Sequence, residues 1–451
     1  MTREWFAGRP WKRSLAWLCL LGPLFFLTYG FANQYTASLG HVGSVVFGWE
    51  RHIPFLAWTI VPYWSIDALY GLSLFLFTDK REMDRHAARL IMATAVCVTG
   101  FLLFPLRFSF DRPDIAQPVF RWMFDVLGSF DMPYNQAPSL HLCLLVLLWA
   151  AYKRHTPAKY RWLVHAWALL IGVSVFTTYQ HHAIDGLTGL PAGLLCCYCI
   201  PLVPGRAWRA GLPGKAKKLA VRYGAAGLTL AALALALRGW WLVLLWPAVC
   251  LAVLVCGYLH AGPSIFRKSE GVSPRAGYRC TDSRIILAPY EIITRLVRHF
   301  FYKAPPAVEI APGLWLGGYP RVLPVPGCGV LDLAAEYPRS PASRGAPYAS
   351  IPMMDLLPPD KDGLERALAA YEALAPHGPV LLHCALGMTR SACVAACALV
   401  RAGVCGDIPS ALERIRRLRP CVALSPQAVD FLAGNFIVRL SAESHREGTC
   451  D

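Results

Sequence analysis

The feature that most constrains this chain is the lopsided placement of its apolar sequence: nearly all the long apolar runs lie before residue 261. A helix rising about 1.5 Å per residue needs roughly 20 apolar residues to cross about 30 Å of hydrocarbon. Eight stretches approach that requirement: about 14–34, 54–77, 87–106, 138–152, 161–180, 186–203, 217–237 and 240–260. Only a few residues around Arg238 separate the last two, so they are expected to form a helical hairpin. The first reads as a signal anchor, because its apolar stretch is long and no small-residue cleavage site follows. Beyond residue 261 the composition is that of a soluble α/β domain. The expected fold is therefore an all-α polytopic membrane bundle followed by a soluble α/β domain.

Charge then sets the sidedness. The chain carries a net charge of +16, which in a soluble protein points to nucleic acid. Here the basic residues cluster between spans. Arg3, Arg9, Lys12 and Arg13 precede the first; Lys80, Arg81, Arg85 and Arg89 follow the second; Lys153, Arg154, Lys159 and Arg161 follow the fourth. Arg206, Arg209, Lys215, Lys217 and Lys218 follow the sixth, and Arg267 and Lys268 the eighth. With alternating spans all these clusters share one face. The positive-inside rule makes that face cytoplasmic, along with both termini. The partners are then membrane lipids rather than nucleic acid. The 16 cysteines have no framework spacing and define neither a disulfide scaffold nor a zinc site.

Three polar motifs fall on the opposite, outer face. They are Arg107 to Pro113, with Arg107 and Arg112; Pro138 to His141, with Ser139; and Gln180 to Asp185, with His181. Ionisable groups at span ends are costly unless they have partners or work. Arginines grip phosphate oxygens, one histidine can attack phosphorus, and a second can protonate the leaving alcohol. His181 and Asp185 are four apart and share a helix face, so Asp185 can hold one ring nitrogen while the other meets substrate. These motifs resemble the type 2 phosphatidic acid phosphatase superfamily over roughly residues 50–205, in the branch that also contains sphingolipid-type phosphotransferases. The resemblance makes His181 the nucleophile, Asp185 its orienter and His141 the general acid, with Arg112, Arg107 and Ser139 at the phosphate. Where the family carries a Lys in the first motif and an Arg in the third, this chain has Pro105 and Val175.

Residues 261–304 read as a linker. Gly262, Pro263, Ser264, Gly271, Ser273, Pro274 and Gly277 give loop composition. Residues 284–303 mix Ile292, Ile293, Leu296, Val297, Phe300 and Phe301 with Arg295, Arg298 and Lys303, the pattern of an amphipathic helix. It suits the inner membrane surface or the face of the next domain.

In 305–451 an apolar strand-like run ends in His383-Cys384, and five residues later comes Arg390-Ser391, opening a helix-compatible Ala/Val-rich run. Backbone N–H groups of such a loop can turn inward around an anion at a helix N-terminus. Gly387 permits the turn, Arg390 grips phosphate, and the positive field favours a Cys384 thiolate. Ser391 can hydrogen-bond the sulfur. Asp355 is the expected general acid and Asp360 the alternative. This half, roughly 306–440, resembles the dual-specificity branch of the protein tyrosine phosphatases. The Asp355 context is similar to a mitochondrial lipid-type member. Lys or Arg, frequent within the loop of lipid-phosphate relatives, is replaced by Ala385, Leu386, Met388 and Thr389, which disfavours a multiply phosphorylated inositide.

The expected domains are 1–260, a membrane domain; 261–304, a linker; and 305–451, a cytoplasmic phosphatase. The expected activity is hydrolysis of phosphomonoesters on a phosphorylated lipid or phosphoprotein, through histidine outside and cysteine inside, without metal or cofactor. Alternatively the outer site is a lipid headgroup phosphotransferase, or a non-catalytic anchor or lipid sensor. The resemblance places the protein in a bacterial inner membrane. No oligomeric state follows from the sequence.

Overall fold

A computed structural model describes residues 9–129, 131–202, 209–237, 239–300, 302 and 305–436. Arg3, Arg206, Arg238, Phe301, Lys303 and the tail 437–451 lie outside the described residues. The chain forms two compact units, Met1–Pro204 and Gly205–Asp451.

The first unit contains helices α1 Trp11–Ala37, α2 Ile60–Ser73, α3 Lys80–Leu103 and α4 Pro118–Gly128, then α5 Leu140–His155, α6 Arg161–Thr177 and α7 Ala183–Cys199. Asp79 starts α3 by accepting from the Glu82 N–H at 2.7 Å, and Ser139 starts α5 by accepting from the Leu142 N–H at 3.3 Å. Glycines decide how α5 and α7 meet. A Cβ on Gly189 would sit 2.5 Å from the Ser139 carbonyl oxygen, and one on Gly193 2.6 Å from that of Cys143. Only bare backbone allows this approach. It brings the start of α7, with Asp185, beside the start of α5, with His141.

The second unit opens with α8 Pro213–Leu237 and α9 Leu245–Cys256, the expected hairpin, followed by β1 Gly271–Val272, α10 Thr281–Ile286 and α11 Ala288–Phe300. Then come β2 Val308–Ala311, β3 Leu314–Gly317, β4 Gly329–Ala334, β5 Tyr348–Met353, α12 Lys361–Leu374 and β6 Val380–His383. Helices α13 Arg390–Arg401, α14 Ile408–Leu418 and α15 Pro426–Phe436 complete it. The sheet order is β1-β5-β4-β6-β3-β2. The four central strands run parallel, and β1 and β2 add antiparallel edges. Strands β4, β5 and β6 are buried along their whole length, as parallel strands covered on both faces require.

Among the described residues, five helices are long and apolar enough to cross a membrane: Trp11–Ala37, Lys80–Leu103, Ala158–Thr177, Pro213–Leu237 and Trp241–Phe266. The other three expected spans are shorter. Helices α2, α5 and α7 have 14, 16 and 17 residues. At about 1.5 Å per residue none reaches about 30 Å. The cap at Ser139 fixes the start of α5, and α7 ends at Cys199, before the expected 203.

The residues expected to be a linker are built into the second unit. Lys268 is buried, and its Nζ donates to Asp332 Oδ2 at 2.6 Å and to the Ala334 carbonyl at 2.5 Å. Arg279 donates to the Glu336 carbonyl at 2.8 Å and to Glu291 Oε2 at 2.8 Å. Gly271 and Val272 pair with β5. Glycine and proline gave this segment a loop's composition, but Lys268 is committed to a buried carboxylate on β4 and Arg279 to Glu291 of α11 and the chain just beyond β4.

Candidate active site

Three parallel strands deliver the cysteine site. The chain leaves β4 into Glu336, β5 into Asp355 and β6 into Cys384, so their side chains meet beyond the carboxyl ends of the strands, where open α/β sheets bind ligands. Cys384 is 2% exposed. Its Sγ lies 3.3 Å from Ser391 Oγ and receives the Gly387 N–H at 3.3 Å. Gly387 has φ +73°, and a Cβ there would strike the Gly317 carbonyl carbon at 2.5 Å. The expected glycine turn is thus required twice, by conformation and by space. Arg390 begins α13, so the loop ends on the positive end of a helix.

Arg390 is held rather than free. It donates to both oxygens of buried Glu336 at 2.7 and 2.6 Å, to the Met353 carbonyl at 3.1 Å and to Asp355 Oδ1 at 2.8 Å. Burial pushes the Cys384 thiol up, but the Arg390 charge and the hydrogen bonds from Ser391 and Gly387 outweigh it, so the thiol is held below its ordinary value. Asp355 moves the other way: burial raises it, Arg390 pulls it down, and Glu336 pushes it up again, leaving it raised. The two shifts run in opposite directions, the thiol toward its ionised form and the carboxyl toward its protonated form, the ordering that a nucleophile and a general acid need.

Asp360 does not join them. It caps α12, accepting from the Gly363 N–H at 3.0 Å. Leu356, next to Asp355, has φ +62°, a left-handed backbone that a branched side chain adopts only when held there. His383 is fully buried and lies with its Nδ1 3.2 Å from the Cys384 carbonyl.

Two residues that the sequence did not single out complete the site. Glu336 clamps the arginine. Buried Arg419 ties the loop from behind, donating to the carbonyls of Gly387 at 2.9 Å, Leu386 at 3.3 Å and Pro306 at 2.7 Å. The local signal for Glu336 was an acid two residues beyond a strand apolar except for Asp332; Arg419 had none.

The first unit gathers part of the expected outer constellation. His181 Nδ1 lies 3.3 Å from Asp185 Oδ2, which also accepts the His182 N–H at 2.8 Å. No described residue hydrogen-bonds His181 Nε2. His141 stacks on Tyr63 at 4.0 Å, contacts the Tyr63 carbonyl through Nε2 at 3.1 Å and interacts electrostatically with His181. The Arg112 guanidinium lies over the Phe124 ring at 4.6 Å. Asp131 interacts with both Arg112 and His181. Ser139 is fully buried as the α5 cap, so its hydroxyl is occupied with backbone rather than open to phosphate. The Arg107 side chain is exposed.

A second histidine–carboxylate pair went unread in the sequence: His182 Nδ1 lies 2.8 Å from Glu50 Oε2, and its Nε2 meets Ser109 Oγ at 3.1 Å. Both its ring nitrogens are engaged, whereas His181 keeps one available.

No family model and no curated protein matches the sequence. Solved structures resemble part of it. Tk-PTP in its active form is 22% identical with a TM-score of 0.26, covering 29% of this chain and 96% of that one. Human DUSP28 is 23% identical with a TM-score of 0.23, covering 29% and 93%. PTPMT1 in complex with PI(5)P is 16% identical with a TM-score of 0.25, covering 29% and 94%.

Proposed function

We propose that the second unit is a cysteine-dependent phosphomonoesterase. The observation that carries this is a buried Cys384 held toward the thiolate by Arg390, with Asp355 raised on the same guanidinium. The thiolate attacks phosphorus; a P–S bond forms as the P–O bond to the alcohol breaks. Asp355 gives its proton to the departing oxygen. Water then attacks the phosphocysteine, the Asp355 carboxylate takes a proton from it, and sulfur leaves as a thiolate with Ser391 donating to it. The loop N–H groups and Arg390 hold the equatorial oxygens throughout.

The first unit, on this proposal, carries a lipid phosphate site in which His181 Nε2 is the nucleophile, oriented by Asp185, with His141 as acid and Arg112 at the phosphate. The charge pattern supports placing this site outside and the cysteine site in the cytosol, with both termini cytoplasmic; the bacterial inner membrane rests on the sequence resemblance alone. A reducing cytosol suits a thiolate. The occupied Ser139 hydroxyl and the exposed Arg107 favour a second reading, in which the first unit binds lipid without turnover.

Phosphate release by full-length wild type, His181→Ala and Cys384→Ser tests both sites. An aryl phosphate should be turned over by wild type and His181→Ala but not by Cys384→Ser. Loss of lipid phosphate turnover in His181→Ala, with survival in Cys384→Ser, supports catalysis outside; lipid binding with no turnover that depends on His181 supports the second reading.

A further inference from the structure

A cavity of about 310 Å³ adjoins the loops that carry the cysteine site. Its lining includes Asp355 and Leu386 of the catalytic loops, Leu230 and Leu251 of the hairpin, and Ile293 and Val297 of α11. Most of that lining is hydrocarbon, so a peptide's N–H and C=O groups would be buried there without partners, at a cost an alkyl chain does not incur.

Three further observations tie the cavity to lipid. Helices α8 and α9, which help to line it, belong to the segments apolar enough to enter a membrane. Helix α11 turns its polar face to the catalytic unit, with Arg298 over the Tyr319 and Tyr337 rings at 5.1 and 5.4 Å. Its apolar face is left open: Ile292, Ile293, Leu296 and Phe300 are 53%, 57%, 49% and 67% exposed. Finally, the hairpin touches the acid loop directly, since the Tyr258 hydroxyl, just beyond α9, donates to the Asp355 carbonyl at 3.1 Å. The membrane-facing elements, the cavity and the general acid are thus continuous.

We propose that the substrate of the cysteine site is a lipid phosphomonoester: a single phosphate carried on a hydrocarbon chain, with that chain lying in the cavity between the hairpin and α11 while the phosphate occupies the Cys384 loop. This rests on the phosphatase reading of Cys384. The loop's uncharged Ala385, Leu386, Met388 and Thr389 suit one phosphate rather than several. A volume near the lower end of ligand pockets, about 300–1,000 Å³, suits one chain.

The test is a homologous series of n-alkyl phosphates, ethyl to octyl, supplied to full-length His181→Ala protein in lipid nanodiscs, with p-nitrophenyl phosphate and a phosphotyrosine peptide alongside. Each methylene buried in the cavity should raise kcat/KM about fourfold until the chain fills it. Leu251→Trp, or Val297→Trp if the first fails to fold by circular dichroism, fills the cavity and should flatten that slope. No hydrolysis of any substrate defeats the phosphatase reading itself. Hydrolysis of p-nitrophenyl phosphate with a flat alkyl series overturns only the lipid proposal, as does a phosphopeptide preferred over every alkyl phosphate. A slope that the folded tryptophan variant leaves unchanged reflects partition into the nanodisc and also overturns it.

Discussion

Glu336→Gln isolates the electrostatics of the cysteine site. The substitution preserves size but removes one negative charge from a buried cluster and replaces one of the two oxygens that accept from Arg390 with an NH2 donor. Arg390 is then left facing Asp355 alone across 2.8 Å. In the wild type, burial raises Asp355 and Glu336 pushes it further, against the pull of Arg390. Two carboxylates on one guanidinium stand on the order of 5 Å apart, where unit charges interact by about 3 kcal/mol at an effective dielectric of ~20. At about 1.4 kcal/mol per tenfold that push is at most about a hundredfold in the acid's protonation equilibrium, and losing it lowers Asp355. The Asp355 side chain is 31% exposed, so screening brings the expected effect nearer tenfold. The sign follows from the role. A general acid works protonated, so turnover falls as pH rises through its pKa, and a lowered pKa moves that descending limb to lower pH. The assay is kcat against pH on an alkyl phosphate, whose leaving oxygen needs the proton. At a fixed pH above the limb kcat should fall on the order of tenfold. A limb that stays in place, or moves to higher pH, refutes the assignment of Asp355 as an acid tuned by Glu336.

Other substitutions separate chemistry from scaffolding. Asp355→Asn should lower kcat about 10²-fold or more, while Asp360→Ala should leave kcat near wild type and cost about 1 kcal/mol in thermal unfolding, because Asp360 caps α12. Gly387→Ala should abolish turnover and lower Tm, since its Cβ would meet Gly317 at 2.5 Å; a crystal structure with an unmoved loop would contradict this. Lys268→Ala leaves Asp332 buried without its cation and should destabilise the protein by about 3–5 kcal/mol in urea unfolding. By the same logic a fragment starting at 305 should fail to fold cooperatively, and one starting at 262 should retain more native structure by near-UV circular dichroism.

The elements of the cysteine site that lie close together in sequence were legible there. His383, Cys384, Gly387, Arg390 and Ser391 fall in one short run whose spacing is dictated by a strand, a turn and a helix N-terminus. Asp355 was legible because it ends an apolar run before a proline-rich loop. What stayed hidden depends on partners far along the chain. Glu336 is 54 residues from Arg390, and Arg419 is 32 residues beyond Gly387. Neither belongs to a periodic pattern, and the tertiary fold alone selects them. Lys268 and Arg279 were hidden differently: their surrounding glycines and prolines signalled a loop, and backbone composition says nothing about where a long cationic side chain is buried. Ser139 shows two readings competing for one hydroxyl, since a serine before an apolar run is also a helix cap. In the first unit the pair His182 and Glu50 was invisible because 132 residues separate its members.

The central claim is covalent chemistry at one sulfur. Full-length His181→Ala and its Ser391→Ala derivative, incubated with a phosphomonoester, quenched in acid and mapped by peptide mass spectrometry, test it directly. The account predicts a phosphoryl group on the Cys384 peptide, more abundant in the Ser391→Ala protein because departure of the sulfur is slowed. Turnover proceeding with no phosphoryl group on Cys384, or with one on another residue of the second unit, would contradict it.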